Sequence, residues 1–359
     1  MTPKHLALAA ALATPALATP VVALAQSSLT LYGIADVGVR HSTGMTAANA
    51  PSGASVSSVA SGVNNTSRFG LRGREDLGGG LHALFNLETG LNLDTGSPAN
   101  ANKFFDRAAT VGLGGGWGQI TAGRQTNLLA DAISPVDPVG MRFSSFNPNI
   151  ATAALSSHGL GVEYGAAGST SGSYRLDNAL KYTGRFGPLT ARAMYSFGEN
   201  TGRASAQSSV GAGLSYTAAG WVVSGAYQRF KTASELPLQA STLGAAYQWG
   251  SVRLAVNTAR HQGDTSATAR TVQRVHSAGA TWSVTDAVDL TAAVYRMNRQ
   301  RTGLQADGYT RAVAFAEYKL SRRTKLYAEL DRTQWRAGYQ GAANKDRATG
   351  ITAGVLHTF

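Results

Sequence analysis

The chain has 359 residues, a formal net charge of +12 and 42 glycines, yet charged residues make up only 14% of it. It contains no cysteine, which excludes a disulfide framework and any enzyme with a thiol nucleophile. The sequence also lacks His-Glu-x-x-His, Gly-x-Ser-x-Gly and phosphate-loop motifs. We therefore expect no enzyme, no cofactor and no metal site.

The first 25 residues have the features of a cleaved export signal. Lys4 supplies a positive start, an alanine-rich apolar run follows, and Ala23-Leu24-Ala25 is a small-x-small cleavage site. A transmembrane helix is the alternative, but two prolines inside the run would each remove a helical hydrogen bond. We expect cleavage after Ala25 and one mature domain, residues 26–359.

The mature chain then alternates between apolar and polar residues in a succession of strands. Residues 81–88, 189–197, 252–257 and 326–331 show the pattern most clearly. A strand of about ten residues with one apolar and one polar face has the length and period of a transmembrane barrel strand. A soluble β-sandwich shows the same alternation, so periodicity alone leaves both folds open.

The lengths of the connections favour the barrel. Short glycine-rich links lie at 76–80, 114–117, 186–188, 218–220 and 249–251. They alternate with long polar links near 41–66, 94–103, 125–174, 200–208, 232–237, 262–269, 301–306 and 337–346. Turns at one rim and long loops at the other are typical of outer-membrane proteins. We predict an all-β fold: a sixteen-stranded antiparallel transmembrane β-barrel with long extracellular loops, short periplasmic turns and an aqueous bore.

The last segment is predicted to close this barrel. In Ile351–Phe359 every second residue from Phe359 backwards lies on one face of an extended strand. A closed sheet needs its last strand to pair with its first. We expect the strand that ends at Phe359 to pair with the strand that begins near Leu29.

Four segments resemble the Gram-negative general porins, particularly their β-proteobacterial branch. Residues 28–33 resemble the first strand of that family, residues 67–81 the second strand and first turn, residues 111–125 the strand pair before the constriction loop, and residues 177–183 the strand after it. The resemblance implies a homotrimeric, water-filled diffusion channel for small hydrophilic solutes in the outer membrane. It also implies contacts with outer-membrane lipids and lipopolysaccharide, and an assembly machinery that reads Phe359.

In that family the third long loop folds inward and narrows the pore, with acidic loop residues opposite basic wall residues. The acidic candidates here are Asp131, Asp137 and Glu163. The loop lacks the Pro-Glu-Phe-Gly-Gly run of enteric members, so which carboxylate faces the wall stays open. Arg68 and Arg124 resemble the basic cluster of the family. Further candidates for the constriction or lumen are Arg40, Arg72, Arg74, Arg142, Lys181 and Arg192.

The excess of positive charge predicts the selectivity. A bore whose low-dielectric wall carries arginine and lysine concentrates anions, so we expect an anion-preferring pore. A solute-specific channel, for example for small organic anions, is the alternative. A soluble secreted β-protein or adhesin is a third. Basic residues can also mark nucleic-acid binding. Here they are spread through the strands, which favours lumen lining and contacts with lipopolysaccharide phosphates instead.

Overall fold

The computed structural model describes residues 28–143, 147–149 and 174–359. The predicted export signal and Glu163 lie outside these residues. The strands are β1 Ser28–Met45, β2 Pro51–Ser61, β3 Arg68–Gly78, β4 Leu81–Asn92, β5 Ser97–Pro98, β6 Ala108–Gly115, β7 Gly118–Thr126, β8 Arg175–Phe186, β9 Leu189–Ser196, β10 Ser209–Ala218, β11 Trp221–Lys231, β12 Pro237–Trp249, β13 Val252–Asp264, β14 Arg270–Ser283, β15 Val288–Arg301, β16 Asp307–Lys319, β17 Thr324–Arg336 and β18 Arg347–Thr358. Helix α1 is Leu128–Ile133.

These strands form one closed antiparallel barrel. β2 pairs with the second half of β1, and β3 pairs with its first half, so β2 and β3 are two segments of a single barrel strand. β5 is a two-residue bridge in the loop after β4. The remaining strands pair in chain order, and β18 returns to β1. The prediction of a closed sixteen-stranded antiparallel barrel is confirmed.

The links alternate as the sequence indicates, with one difference. Two-residue turns such as 79–80 and 187–188 join strands at one rim, whereas the links at the other rim are longer. The predicted long link 41–66 was wrong in extent, because β1 continues to Met45 and β2 occupies Pro51–Ser61. β2 carries serines on both faces, so no apolar stripe in the sequence marks it as a strand.

The two faces of the barrel differ in chemistry because successive strand residues alternate between them. On β1, Leu29 is 70% and Val39 65% exposed on the outer face, whereas Asp36 and Arg40 point inward and are buried. Aromatic side chains gather at the short-turn rim, where the rings of Trp221 and Tyr247 lie 4.5 Å apart. An apolar outer band with interfacial aromatics is the surface that lipid requires.

In the described part of the chain, no helix is long and apolar enough to cross a membrane.

The seam between the first and last strands is continuous. Ile34 to Thr43 of β1 pair with Thr358 to Thr349 of β18. Beyond the strand, the Phe359 amide donates to the Gly33 carbonyl at 3.1 Å, and the Gly33 amide donates to the Phe359 carbonyl at 3.0 Å. The Phe359 ring lies directly over Gly33, where a Cβ would overlap it. The predicted pairing of the closing strand is therefore present.

The third long link enters the barrel. Helix α1 is capped at its N-terminus by Asn127, whose side-chain oxygen accepts from the Ala130 amide. Its leucines and Ile133 are fully buried against Met194, Phe230 and Leu238 of the inner wall. Further along, Phe143 packs edge-to-face on Phe315 of β16 at 5.9 Å. The described part of this link thus follows the inner wall from β9 to β16, which confirms the inward-folded third loop.

Candidate functional site

Asp137 anchors the middle of the inward loop. Its carboxylate is fully buried and accepts from the side-chain amides of Asn149 at 2.7 Å and Asn147 at 3.1 Å. The backbone amides of Val139 and Met141 donate to it at 3.1 and 2.7 Å. Burial raises the pKa of Asp137, although these hydrogen bonds oppose the shift. The loop is therefore folded around this one carboxyl group.

Two ion pairs fasten the ends of the described loop segment to the wall. At its start, Lys181 of β8 binds Asp131 of α1 at 2.7 Å. At its far side, Arg142 binds Glu317 of β16 at 2.6 Å. The Phe143 amide also donates to the Asn64 carbonyl at 3.1 Å. The loop is held at both ends by side chains that belong to distant strands.

An opening remains between the loop and the wall formed by β3, β8 and β9. On the loop side it is bounded by Ala130, Asp131, Ser134, Pro135, Gly140 and Met141. On the wall side it is bounded by Asn65, Thr66, Arg68, Arg107, Thr126, Tyr174, Arg175 and Arg192. Among these described lining residues, four arginines stand against one aspartate. The opening is therefore positively charged.

A buried cluster sets the charge of the wall. The Glu88 carboxylate accepts from Arg107 Nε at 2.6 Å and lies 3.6 Å from Arg68 Nε. Burial opposes the charge of Arg107, but the neighbouring Tyr174 and Glu88 outweigh it and raise the pKa of Arg107. Burial alone would raise the pKa of Tyr174, yet Arg175, Arg107 and Arg68 lower it to about 8.

Three of the residues predicted for the constriction line this opening: Arg68, Arg192 and Asp131. Lys181 lies beside it and holds Asp131. Arg192 Nη1 also donates to Ser215 at 3.3 Å. The structure therefore brings one loop carboxylate and two wall arginines to the same opening.

Arg72 and Arg74 face the lumen closer to the short-turn rim. Arg72 lies over the Tyr32 ring at 5.0 Å, and Arg74 contacts His82 at 3.2 Å. Both side chains are exposed to the water of the bore.

The other predicted residues lie away from the opening. Arg40 is 3% exposed and is bound by Glu329 at 3.0 Å and Asp331 at 2.6 Å. Arg124 is also buried; its Nε donates to the Asp106 carbonyl at 2.6 Å and its Nη1 to Asp177 at 2.6 Å. Asp137 and Arg142 serve as the loop anchors described above. Asp137 is enclosed by its own loop and does not face the arginine wall.

Sequence reasoning missed Arg107, Tyr174 and Arg175. Arg107 directly precedes β6, and Arg175 opens β8, so both sit where a loop meets a strand. The alternation of apolar and polar residues assigns side chains to a face only within a strand. It therefore gives the least information at the ends of strands, where these residues lie. The useful signal was their place at the ends of two long links.

A closed barrel with an apolar outer face and a charged, loop-narrowed bore is a membrane-spanning channel. A family model described as "Gram-negative porin" matches residues 7–338. The chain belongs to the Gram-negative porin family, and it is located in the outer membrane.

Individual relatives agree with this assignment. Outer membrane porin protein 32 of Delftia acidovorans is 28% identical over 97% of this chain and 99% of its own length. An outer membrane porin of Bordetella pertussis is 35% identical over 53% of this chain and 48% of its own, so that match spans about half of each protein. The solved anion-selective porin from Comamonas acidovorans has a TM-score of 0.77 at 24% identity, covering 93% of this chain and all of that one.

Proposed function

We propose that the protein is a passive diffusion channel for small hydrophilic solutes with a preference for anions. The observation that carries this proposal is the lining of the opening, which includes Arg68, Arg107, Arg175 and Arg192 but only one loop carboxylate, Asp131. The anion-selective porin of Comamonas acidovorans has the same fold, which supports the proposal.

The mechanism follows from electrostatics in a narrow aqueous bore with a low-dielectric wall. Excess positive charge raises the local concentration of anions and their rate of entry. The effect acts within a Debye length of about 8 Å at physiological salt, so it is strongest where the loop brings the walls together. Asp131 on the loop and the arginines on the wall also create a transverse field, which favours polar over apolar solutes.

Reversal potentials across a bilayer in a KCl gradient test this selectivity. The wild-type channel should prefer chloride, and the Arg68→Gln, Arg192→Gln double variant should shift measurably toward potassium. Arg322→Gln, Arg323→Gln is the matched control, because both residues are exposed in a short turn. A potassium preference of the wild type, or the same shift in both variants, would contradict the proposal.

A solute-specific channel for small organic anions is the alternative. It is favoured by the convergence of several guanidinium groups, since arginine matches a carboxylate in a bidentate geometry. Uptake into proteoliposomes separates the two functions. A specific channel saturates with one class of solute, whereas a general pore admits solutes in order of size.

The same proposal includes a homotrimer embedded among outer-membrane lipids and lipopolysaccharide. The outer faces of β1 and β6 support it, since Leu29, Leu31 and Val111 are 70, 59 and 62% exposed and offer apolar area for contact between subunits. Migration in detergent gels before and after heating measures the assembly. A single monomer-sized band under both conditions would rule out a stable trimer.

A further inference from the structure

Two glycines of the inner wall lie directly beneath the inward loop. Gly244 of β12 is the cross-strand partner of Ser224 and Asn257, which are both buried on the inner face. Gly279 of β14 is the partner of Ala255, which is buried on the same face. Both glycines therefore face the interior of the barrel. We call Gly244 and Gly279 the wall glycines, and each leaves a hollow in the wall where a side chain would stand.

The inward loop fills both hollows with rigid side chains. Val136 is fully buried and packs against Ala246 of the wall. A Cβ atom added to Gly244 would lie 2.5 Å from Val136 Cγ2, and one added to Gly279 would lie 2.8 Å from Pro138 Cβ. Ordinary van der Waals contact at such an atom begins at 3.4 Å. Neither hollow therefore has room for a methyl group while the loop keeps its position.

Hydrogen bonds hold this part of the loop against the same strands. Arg253 Nη2 of β13 donates to the Pro135 carbonyl at 2.6 Å. Further along the loop, Asn149 Nδ2 donates to Ser277 Oγ of β14 at 3.0 Å. The loop thus rests on β12, β13 and β14, and the wall glycines lie within this contact.

The loop is a single layer of chain between the wall glycines and the opening. Residues 136–139 are buried. The residues directly before and after them, 134–135 and 140–141, line the opening. The far wall of the opening is formed by β3, β8 and β9, and it lies across the barrel, since β6 is the fourth and β14 the twelfth of the sixteen barrel strands. A shift of the loop away from the wall glycines therefore narrows the opening.

We propose that Gly244 and Gly279 set the width of the channel, and with it the largest solute that passes. They are positioning residues, because they act through the loop and do not touch the solute. A methyl group on either glycine must push the loop about 1 Å toward the opposite wall, since a buried valine and a proline ring cannot turn aside in a close-packed interior. The inference rests on the proposed diffusion channel and adds what determines its size limit.

Another glycine of the inner face supplies a matched control. Gly38 of β1 is buried, and a Cβ atom added to it would lie 2.8 Å from the Ala353 carbonyl oxygen. A Cβ atom on Gly244 would likewise lie 2.7 Å from the Val256 carbonyl oxygen. The three atoms nearest to the Gly38 position all belong to β18. Gly38→Ala therefore reproduces the strain within the sheet, but its closest contacts are with the neighbouring strand and not with the loop.

Two measurements on the full-length channel test the proposal. Single-channel conductance in about 1 M KCl reports the width of the opening, because the Debye length falls to about 3 Å and the wall charges are screened. Swelling of proteoliposomes in a graded series of uncharged sugars reports the size limit.

We expect Gly244→Ala and Gly279→Ala each to lower the conductance and to exclude the largest sugar that the wild type admits. The double variant should lose more than either single variant, and Gly38→Ala should match the wild type. Wild-type conductance in both wall-glycine variants would overturn the proposal, and so would an equal loss in Gly38→Ala.

A compensating substitution on the loop separates displacement of the loop from damage to the sheet. Val136→Ala removes the methyl groups that meet Gly244, so the Gly244→Ala, Val136→Ala variant should regain the wild-type conductance and sugar limit. Val136→Ala alone should not narrow the channel, since it adds no atom between the loop and the wall. A double variant as narrow as Gly244→Ala would contradict the proposal.

A second loop variant keeps the test decisive if Gly244→Ala does not fold. Val136→Leu leaves β12 unchanged and places a longer side chain in the same hollow, so it should narrow the channel as well. Wild-type conductance of folded Val136→Leu barrels would overturn the proposal. Uncharged sugars and concentrated salt do not depend on the wall charge, so a missing chloride preference would count against the proposed selectivity alone. A wild type that admits no sugar would refute the diffusion channel itself.

Discussion

Individual arginines on the inner face of this barrel serve different purposes. Arg68 and Arg192 border the opening, whereas Arg40 is enclosed between two carboxylates and covered by the Phe143 ring at 5.5 Å. Alternation along the strands predicts that the side chains of all three arginines point into the barrel. What separates them is the inward loop, which leaves some wall residues in contact with water and covers others.

Arg40→Met should therefore affect stability and leave ion selectivity unchanged. The substitution leaves Glu329 and Asp331 buried without their cation, a loss of about 3–5 kcal/mol for a broken buried ion pair. Thermal unfolding in detergent should show a clearly lower midpoint, and reversal potentials should match the wild type. Arg323→Met, an exposed turn residue, is the control. A changed selectivity with normal unfolding would show that Arg40 faces the bore.

Tyr174 gives the opening a dependence on pH. Its neighbours Arg175, Arg107 and Arg68 lower its pKa to about 8, so its phenol is neutral below that pH and becomes anionic above it. Each phenolate cancels one positive charge at the opening. Chloride preference should fall as pH rises from 7 to 9.5, and Tyr174→Phe should abolish the fall. The outer-face variant Tyr318→Phe should keep the wild-type profile, and an identical profile for Tyr174→Phe would refute the assignment.

At the scale of elements, the inward loop depends on one carboxyl group. Asp137→Ala would remove the acceptor for Asn147, Asn149 and two backbone amides, and each buried donor left unpaired costs about 1–3 kcal/mol. A loosened loop should widen the bore.

Single-channel recordings measure this effect. Conductance should increase in the order wild type, Asp137→Asn, Asp137→Ala, because asparagine keeps one of the two acceptor oxygens. Asp286→Ala, at an exposed turn, serves as the control. An unchanged conductance in Asp137→Ala would mean that the loop is held by its apolar contacts and its two ion pairs alone.

Elements were more predictable from sequence than the site. Alternation and link length identified the sixteen strands, because both are local properties of the chain. β2 escaped detection since its serines form no apolar stripe. Asp137 was one of three acidic loop residues considered as partners of the wall arginines, but it is bound by Asn147 and Asn149 of the same loop. Which side chains a loop covers depends on its path, and no periodic pattern encodes that path.

At the scale of the whole molecule, the closing strand is expected to decide assembly. We keep Phe359 as the proposed signal for the assembly machinery. Deleting it removes two backbone hydrogen bonds to Gly33 and the ring that packs over that glycine. The yield of heat-modifiable barrel in membranes should drop strongly, and Phe359→Ala should be intermediate because it keeps the backbone bonds. Phe186→Ala, an exposed aromatic at the same rim, is the control. Normal yield after the deletion would contradict the role.

The seam between β1 and β18 also affects the kinetic stability of the barrel. β1 shares hydrogen bonds with β2 and β3 on one side and with β18 on the other, so neither terminal strand can leave without breaking two ladders at once. Inside lipid the freed amides and carbonyls would find no water. Unfolding must therefore cross a high activation barrier, even if the free energy of unfolding is modest. The lifetime of the barrel is set by a rate, and the membrane itself supplies much of that barrier.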